Sequence, residues 1–396
     1  MAGDKRNLSV LRFYYLMLGM GGGSLLPFIT LFYKQQGLSG TEIGLLATFA
    51  GLAALVAAPL WGRLSDNAAR PRRWLQVELI ASSGCLLLLS QQIVFVPIAL
   101  LVVSNALVNA GSSPTSDALA LTILNKVRSG FGSVRLFASL GWAIAALVSG
   151  WLIERLGLFV IFIGYLAGYG LGAGAVGLIR LPPKTLARTL AKQPRLSVRQ
   201  TLREVLHDQR LRSLALALVI FGSMMYGLRS FEALYLKQLN AADTIVGLMS
   251  TIGASVELPG MLWADRLVRR FGAARVLRFS FTLEVARLCS VLLVPSVPTL
   301  LIVRAVGGIS FSWYVVSVLG FIHASVPEQR VTTTLAVFNV TLPAIISTVA
   351  APTSGFIFDR VGGYWLYALG AVGAATAWLV MKTIVTDPPE QLHVSE

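Results

Sequence analysis

The chain has 396 residues, 55% of them hydrophobic and only 13% charged, with a mean hydropathy of +0.73. A soluble chain of this length needs far more charge to cover its surface, so a soluble enzyme or binding domain is excluded. The net charge of +15 does not call for nucleic acid, because basic residues in cytoplasmic loops hold the topology of a membrane protein.

Apolar runs near 20 residues recur from end to end, the length a helix needs to cross a hydrocarbon core of about 30 Å. The short alternating segments of a transmembrane barrel are missing. The runs predict twelve spans: 9–33, 41–61, 73–91, 95–118, 133–153 and 157–179, then 211–236, 244–264, 273–294, 298–323, 331–355 and 364–384. With both termini cytoplasmic, Lys34, Arg155, Lys237 and Arg360 fall on the outer side. Arg229, Arg287 and Arg304 lie inside spans, and the other basic residues are assigned to the cytoplasmic side. The first run lacks a small-residue cleavage site, so no signal peptide is expected.

The first span carries Tyr14, then "GMGGG" at Gly19 to Gly23, then Pro27. Such glycines permit close helix packing or a locally open backbone. Cys85 and Cys289 lie within spans far apart in sequence and are read as small buried hydrophobes. In the fourth span Asn105, Asn109 and Ser112 share one helix face. Asp117 ends that span and Arg135 opens the fifth. After the sixth span comes a basic stretch with Pro182, Pro183 and Pro194, read as a cytoplasmic linker that is partly a surface helix.

The outer turn after the first span, "YKQQGLSGTEIGLL" from Tyr33 to Leu46, returns as "LKQLNAADTIVGLM" from Leu236 to Met249. Lys34/Lys237, Gln35/Gln238, Thr41/Thr244, Gly44/Gly247 and Leu45/Leu248 recur 203 positions apart. The chain therefore reads as a six-helix unit written twice: residues 1–180, a linker over 181–210, and residues 211–396. The expected fold is an all-α integral membrane protein of two pseudo-symmetric halves. Two such halves form a transporter, with the substrate site between them near the midplane.

A second repeat follows on the cytoplasmic side. "WGRLSDNAARPRRW" spans Trp61 to Trp74 and "WADRLVRRFGAAR" spans Trp263 to Arg275. These resemble the signature of the major facilitator superfamily, matched by Gly62, Asp66, Arg70, Arg72 and Arg73, and again by Asp265, Arg266, Arg270 and Gly272. "RFYYLMLGMGGGSLLPFITLFY", "SSPTSDALAL" and "FGSVRLFASLGW" look like the branch that holds phenylpropionate permease, lactose permease and nucleoside–proton symporters. The resemblance implies that spans one, four, seven and ten line the cavity, that eight flanks it, and that nine is peripheral.

Candidate residues follow from charge and place. Asp66 with its arginines is expected to lock the cytoplasmic side in one state and release it in another. The alternative is a solvated loop that only obeys the positive-inside rule. Asp117 and Arg135 either join that lock or pair locally. Inside the second half stand Arg229 and Glu232 one turn apart, Glu257 just before Pro259, Glu284 and Arg287 one turn apart, and Arg304. Buried ionisable groups demand a partner or a pathway. Glu284/Arg287 reads as a structural pair. Arg229 and Arg304 are expected to attract an anionic or polar solute, and Glu257 or Glu232 to carry the proton. The first half is read as offering amides and aromatics instead. Asn105, Asn109, Tyr14, Tyr226, Trp313 and Tyr314 are candidates to contact solute, or else core and lipid-facing positions. His323 reads as structural.

The expectation is a proton-coupled importer of a small organic solute in the bacterial inner membrane, multi-pass and monomeric. The alternative is a proton-driven exporter of drugs, metabolites or lipids. "SLGWAIAALVSGW" in the fifth span has glycines but none of the proline expected of antiporters, which favours import. No His/Cys/Asp/Glu cluster has ligand or triad spacing, so no enzyme, metal or cofactor is expected.

Overall fold

The computed structural model of the protein describes residues 2–67, 71–127, 130–179, 203 and 205–384. Among these residues every regular element is helical. In lipid, backbone N–H and C=O groups must be satisfied within the segment itself, and a helix does that for each apolar run. The helices are α1 (Ala2–Leu25), α2 (Ile29–Gln35), α3 (Gly40–Asn67), α4 (Pro71–Leu89), α5 (Phe95–Asn109), α6 (Ser112–Val127), α7 (Gly132–Leu156) and α8 (Val160–Leu178). Then follow α9 (Gln209–Gln238), α10 (Asp243–Phe271), α11 (Ala273–Leu293), α12 (Val297–Ser325), α13 (Glu328–Ala336), a π-helical turn Val337–Thr341, α14 (Leu342–Val361) and α15 (Gly363–Ile384). All twelve predicted spans fall on helix. The linker expected over 181–210 lies mostly outside the described residues.

Ten helical runs among the described residues are long and apolar enough to cross a membrane. The two remaining long helices, α4 and α11, carry three and four charged side chains. These are the third and ninth predicted spans. Three spans are interrupted. The first breaks around Pro27, the fourth at Ala110–Gly111, and the eleventh passes through the π-helical turn. Pro259 removes a backbone N–H donor yet lies inside an α10 that continues across it.

The repeated turn is repeated in conformation as well as in letters. Gly37 has φ 84° and Asn240, 203 positions on, has φ 57°. Leu38 N–H bonds the Tyr33 carbonyl at 3.2 Å and Gly37 N–H bonds that of Lys34 at 3.0 Å. Ala241 N–H bonds Leu236 and Asn240 N–H bonds Lys237, both at 3.0 Å. Each helix thus ends in the same left-handed cap, which only glycine and, less readily, asparagine adopt without steric cost.

The residues gather into two compact units. The first is Met1–Gln193 with Ser230–Ser255 and Ala351–Arg360; the second is Pro194–Arg229 with Val256–Ala350 and Val361–Glu396. In the first unit α1 packs along α7 and α8. A side chain at Gly19 or Gly23 would collide with the backbone of Ala138 or Trp142, and one at Gly21 with the Tyr169 ring. Close packing is therefore what "GMGGG" serves, within an unbroken helix. Around this contact Leu11, Tyr14, Leu79, Leu119 and Val176 form a buried core. In the second unit α11 packs against α12 and α15.

Candidate functional site

The second unit holds a cavity of about 190 Å³ walled by Phe221, Tyr226, Tyr314, Phe338 and Pro343. Arg229 is the charged residue on its lining. α9 places Tyr226 and Arg229 three positions apart, so one helix face presents both. Arg229 is exposed, and part of it lies on the lining of this cavity. Its guanidinium carbon stands 4.8 Å from the centre of the Phe311 ring, an arrangement that favours a cation on an aromatic face.

Beyond Arg229 a smaller space, bordered by Ser280, Glu284, Ser310 and Phe311, leads to an ion pair. Arg287 Nε and Nη2 each donate to a different Glu284 oxygen at 2.6 Å, and Ser310 Oγ donates to Oε2 at 2.5 Å. Glu284 is 4% exposed and Arg287 7%. Gly307 leaves room for the guanidinium, since a side chain there would stand 3.3 Å from Arg287 Nε. The fork is bidentate and its carboxylate is bonded on both oxygens, which is what a buried pair requires. The pair expected to be merely structural thus stands beside the arginine expected to meet solute.

Other candidates are more scattered. Glu257 of α10 is half-buried; its backbone carbonyl accepts from Ser312 Oγ at 2.8 Å. Arg304 and Trp313 of α12 are half-buried and are not among the residues lining the cavity. Glu232 belongs to the first unit. His323 is exposed at the end of α12.

In the first unit the polar candidates are committed to internal bonds. Tyr14 is fully buried with its hydroxyl 2.6 Å from Ser116 Oγ. Asn105 accepts from Ser82 Oγ at 2.6 Å, and Asn109 accepts from Ser112 Oγ at 2.7 Å. The Asn105–Asn109–Ser112 stripe crosses the break between α5 and α6 rather than one continuous helix.

Of the residues expected to form the cytoplasmic lock, Gly62 and Asp66 lie in α3 with side chains outside the described set, and Arg70 lies outside the described residues. Arg72 donates to the Ile179 carbonyl, and Arg73 is exposed. Asp117 accepts from Tyr15 at 3.3 Å, and Arg135 is exposed at the start of α7. Asp265 accepts from Arg269 at 2.5 Å on the surface.

The repeated turns form two matching corners inside the first unit. Asp359, at the end of α14, accepts from the backbone N–H groups of Gly40 and Thr41 at 2.6 and 2.9 Å and from the Thr41 hydroxyl. Glu154, at the end of α7, accepts from Thr244 N–H at 2.8 Å. A carboxylate caps a helix N-terminus in each copy, satisfying orphan donors and the helix dipole. Glycines make the approach possible. Side chains at Gly44 and Gly355 would collide with the backbones of Ala351 and Gly40; at Gly150 and Gly247, with those of Asp243 and Ala146.

The reading of a first half without buried charge needs correction. Glu78 of α4 is fully buried. Its signal was present as one acid within the apolar run "RWLQVELIASSGCLLLL", a position where an ionisable group is costly.

Two units of apolar helices, with a cationic aromatic cavity and sealed corners at a duplicated turn, are the parts of a membrane transporter. A model of the MFS_1-like family matches residues 7–369, and the chain belongs to that family. It is a multi-pass transporter of the major facilitator type, not an enzyme. The maltose permease of Geobacillus stearothermophilus is 27% identical over 91% of this chain and 90% of its own. A homologue of the multi-drug resistance efflux pump PmrA from Lactococcus lactis is 23% identical over 96% and 94%. The crystal structure of the nucleoside transporter NupG overlays with a TM-score of 0.80 at 14% identity, covering 97% of this chain and 98% of that one. A bacterial homologue of the iron transporter ferroportin overlays with a TM-score of 0.73 at 15% identity, covering 95% and 98%.

Proposed function

We propose that the protein imports a small anionic or polar organic solute together with a proton, by alternating access, as a monomer in the bacterial inner membrane with both termini cytoplasmic. The observation that carries this reading is Arg229. It presents a guanidinium to an aromatic-walled cavity, with Tyr226 one turn away. Aromatic faces suit a ring or sugar face, and the cation selects charge or hydrogen-bond acceptors. The cavity volume of about 190 Å³ suits a small solute. Similarity to a maltose permease and to a nucleoside transporter supports a permease role.

Glu257 or Glu232 carries the coupling proton in this reading, and Arg304 and Trp313 contribute to solute binding in the second unit. The corners at Asp359 and Glu154 seal the outer side, and Asp66, Arg70, Arg73, Asp117, Arg135 and Asp265 work the cytoplasmic side. The halves 1–180 and 211–396, joined by a basic cytoplasmic linker, move against each other.

Uptake into proteoliposomes, with a panel of sugars, nucleosides and organic anions, with and without an imposed pH gradient, tests the reading. Accumulation that needs the gradient and falls at least tenfold in Arg229→Ala supports it. Solute-independent proton flux alone, or uptake that Arg229→Ala leaves unchanged, overturns it. The apolar cavity wall and the similarity to an efflux pump favour a second reading, a proton-driven exporter; gradient-driven extrusion of apolar dyes would select it.

A further inference from the structure

The first unit holds a carboxyl group that no described residue satisfies. Glu78 is 0% exposed, and neither of its oxygens has a hydrogen-bond partner among the described residues. A buried carboxylate in a native protein is paired, hydrogen-bonded or not charged at all. Glu284, in the other unit, meets the first two conditions. Glu78 meets neither.

Its surroundings are built for a neutral group that sits against a break in a helix. A side chain at Gly111, in the interruption between α5 and α6, would stand 3.0 Å from Glu78 Oε1 and 2.9 Å from the Trp61 ring. The Trp61 N–H is already given to the Leu107 carbonyl at 2.6 Å. α4 packs against α5, α6 and α8. α5 brings no titratable side chain. α6 brings Asp117, held by Tyr15. α8 brings Tyr165, whose hydroxyl lies 2.8 Å from Ser82 Oγ one turn beyond Glu78, and Tyr169, stacked on it. From α1 come Tyr14, engaged with Ser116, and Arg12, whose guanidinium lies over the Phe137 ring at 5.6 Å. On α4 itself Arg72 is given to Ile179. Among these described neighbours the Tyr14, Tyr15 and Tyr165 hydroxyls, the Trp61 N–H and the Arg72 guanidinium are engaged with other partners, while Arg12 Nε, like Glu78, has no hydrogen-bond partner among the described residues.

We propose that Glu78 is a proton-binding site of the first unit, separate from the cavity at Arg229. In the packed state the carboxyl keeps its O–H bond. When the break at Ala110–Gly111 draws away from α4 and water enters, the O–H bond breaks, the proton passes to water and the carboxylate is hydrated. Repacking takes one proton back from water. The opening motion rests on the transport reading; the occupied site in the packed state does not.

Infrared spectroscopy of the full-length protein in liposomes, between acidic and alkaline buffer, reads the site without any solute. The expected result is a carbonyl band of a protonated carboxyl at neutral pH that Glu78→Gln removes. Glu78→Asp, which keeps the acid on a shorter stem, should shift that band and serves if the glutamine variant fails to fold. A band unchanged in both variants overturns the proposal, as does a wild-type protein without such a band at neutral pH. Uptake by the same liposomes separates the two readings. Loss of the band in a transporter that needs no pH gradient keeps the site and removes proton coupling; an unchanged band in a gradient-driven transporter removes the site and keeps the coupling.

Discussion

Two buried glutamates, each on the third long helix of its half, meet opposite fates. Glu284 of α11 is bonded by Arg287 through two nitrogens and by Ser310. Glu78 of α4 has no hydrogen-bond partner among the described residues. A carboxylate with its charge matched and its lone pairs filled is a fixed anion, and it organises the electrostatics beside Arg229. A carboxyl with neither is at rest only with a proton on it. The pair lends rigidity to one unit, and the lone acid leaves the other unit something to exchange.

The largest effect should come from breaking the pair. Arg287→Ala strands a buried anion and is expected to cost about 3–5 kcal/mol, measured by denaturant unfolding of the purified protein. Glu78→Gln, by contrast, removes an acid that no neighbour needs and should leave the unfolding midpoint at neutral pH nearly unchanged. Equal losses in the two variants would erase the distinction between the sites.

A smaller step on the same side is Ser310→Ala. It takes one hydrogen bond from a charged group and is expected to cost about 1.5–3 kcal/mol. The matching step in the first unit is Tyr14→Phe. It deletes a neutral bond to Ser116 and should cost about 1 kcal/mol. A Tyr14→Phe loss as large as that of Ser310→Ala would mean that the first unit relies on its polar core as heavily as the second.

An effect comparable to that of Tyr14→Phe lies at the corners. Asp359→Ala removes an N-terminal cap from α3 and should weaken that contact by about 0.5–2 kcal/mol. Spin labels at Thr41 and Phe356 should report a broader and longer distance distribution. Glu154→Ala should do the same at the other corner, with one backbone bond to lose instead of two. An unmoved distribution in both variants would mean that the glycine contacts alone hold the corners shut.

Much of the fold was legible because a bilayer leaves the chain few options. An apolar run near 20 residues has to be a helix, and all twelve predicted spans are helical. The duplicated turn was equally legible, since its glycine and asparagine stand where the cap needs a left-handed residue. Sequence spacing also paired Glu284 with Arg287, because three positions on a helix share a face.

The site was legible only in part. Arg229 was evident as a charge inside a span, but that it lines a cavity near Phe311 depends on two other helices and the π-helical turn. Asn105, Asn109 and Ser112 formed a stripe by periodicity, and the break at Ala110–Gly111 disrupted it. Glu78 shows the limit most clearly. Its charge type and depth were written in the chain from the start. Whether a buried acid is paired or alone is decided by which side chains the packed neighbours bring within 3 Å, and that follows from tertiary structure. Local order arises from backbone hydrogen bonding that the solvent enforces residue by residue. Partnership arises from contacts between distant segments, which no local pattern encodes.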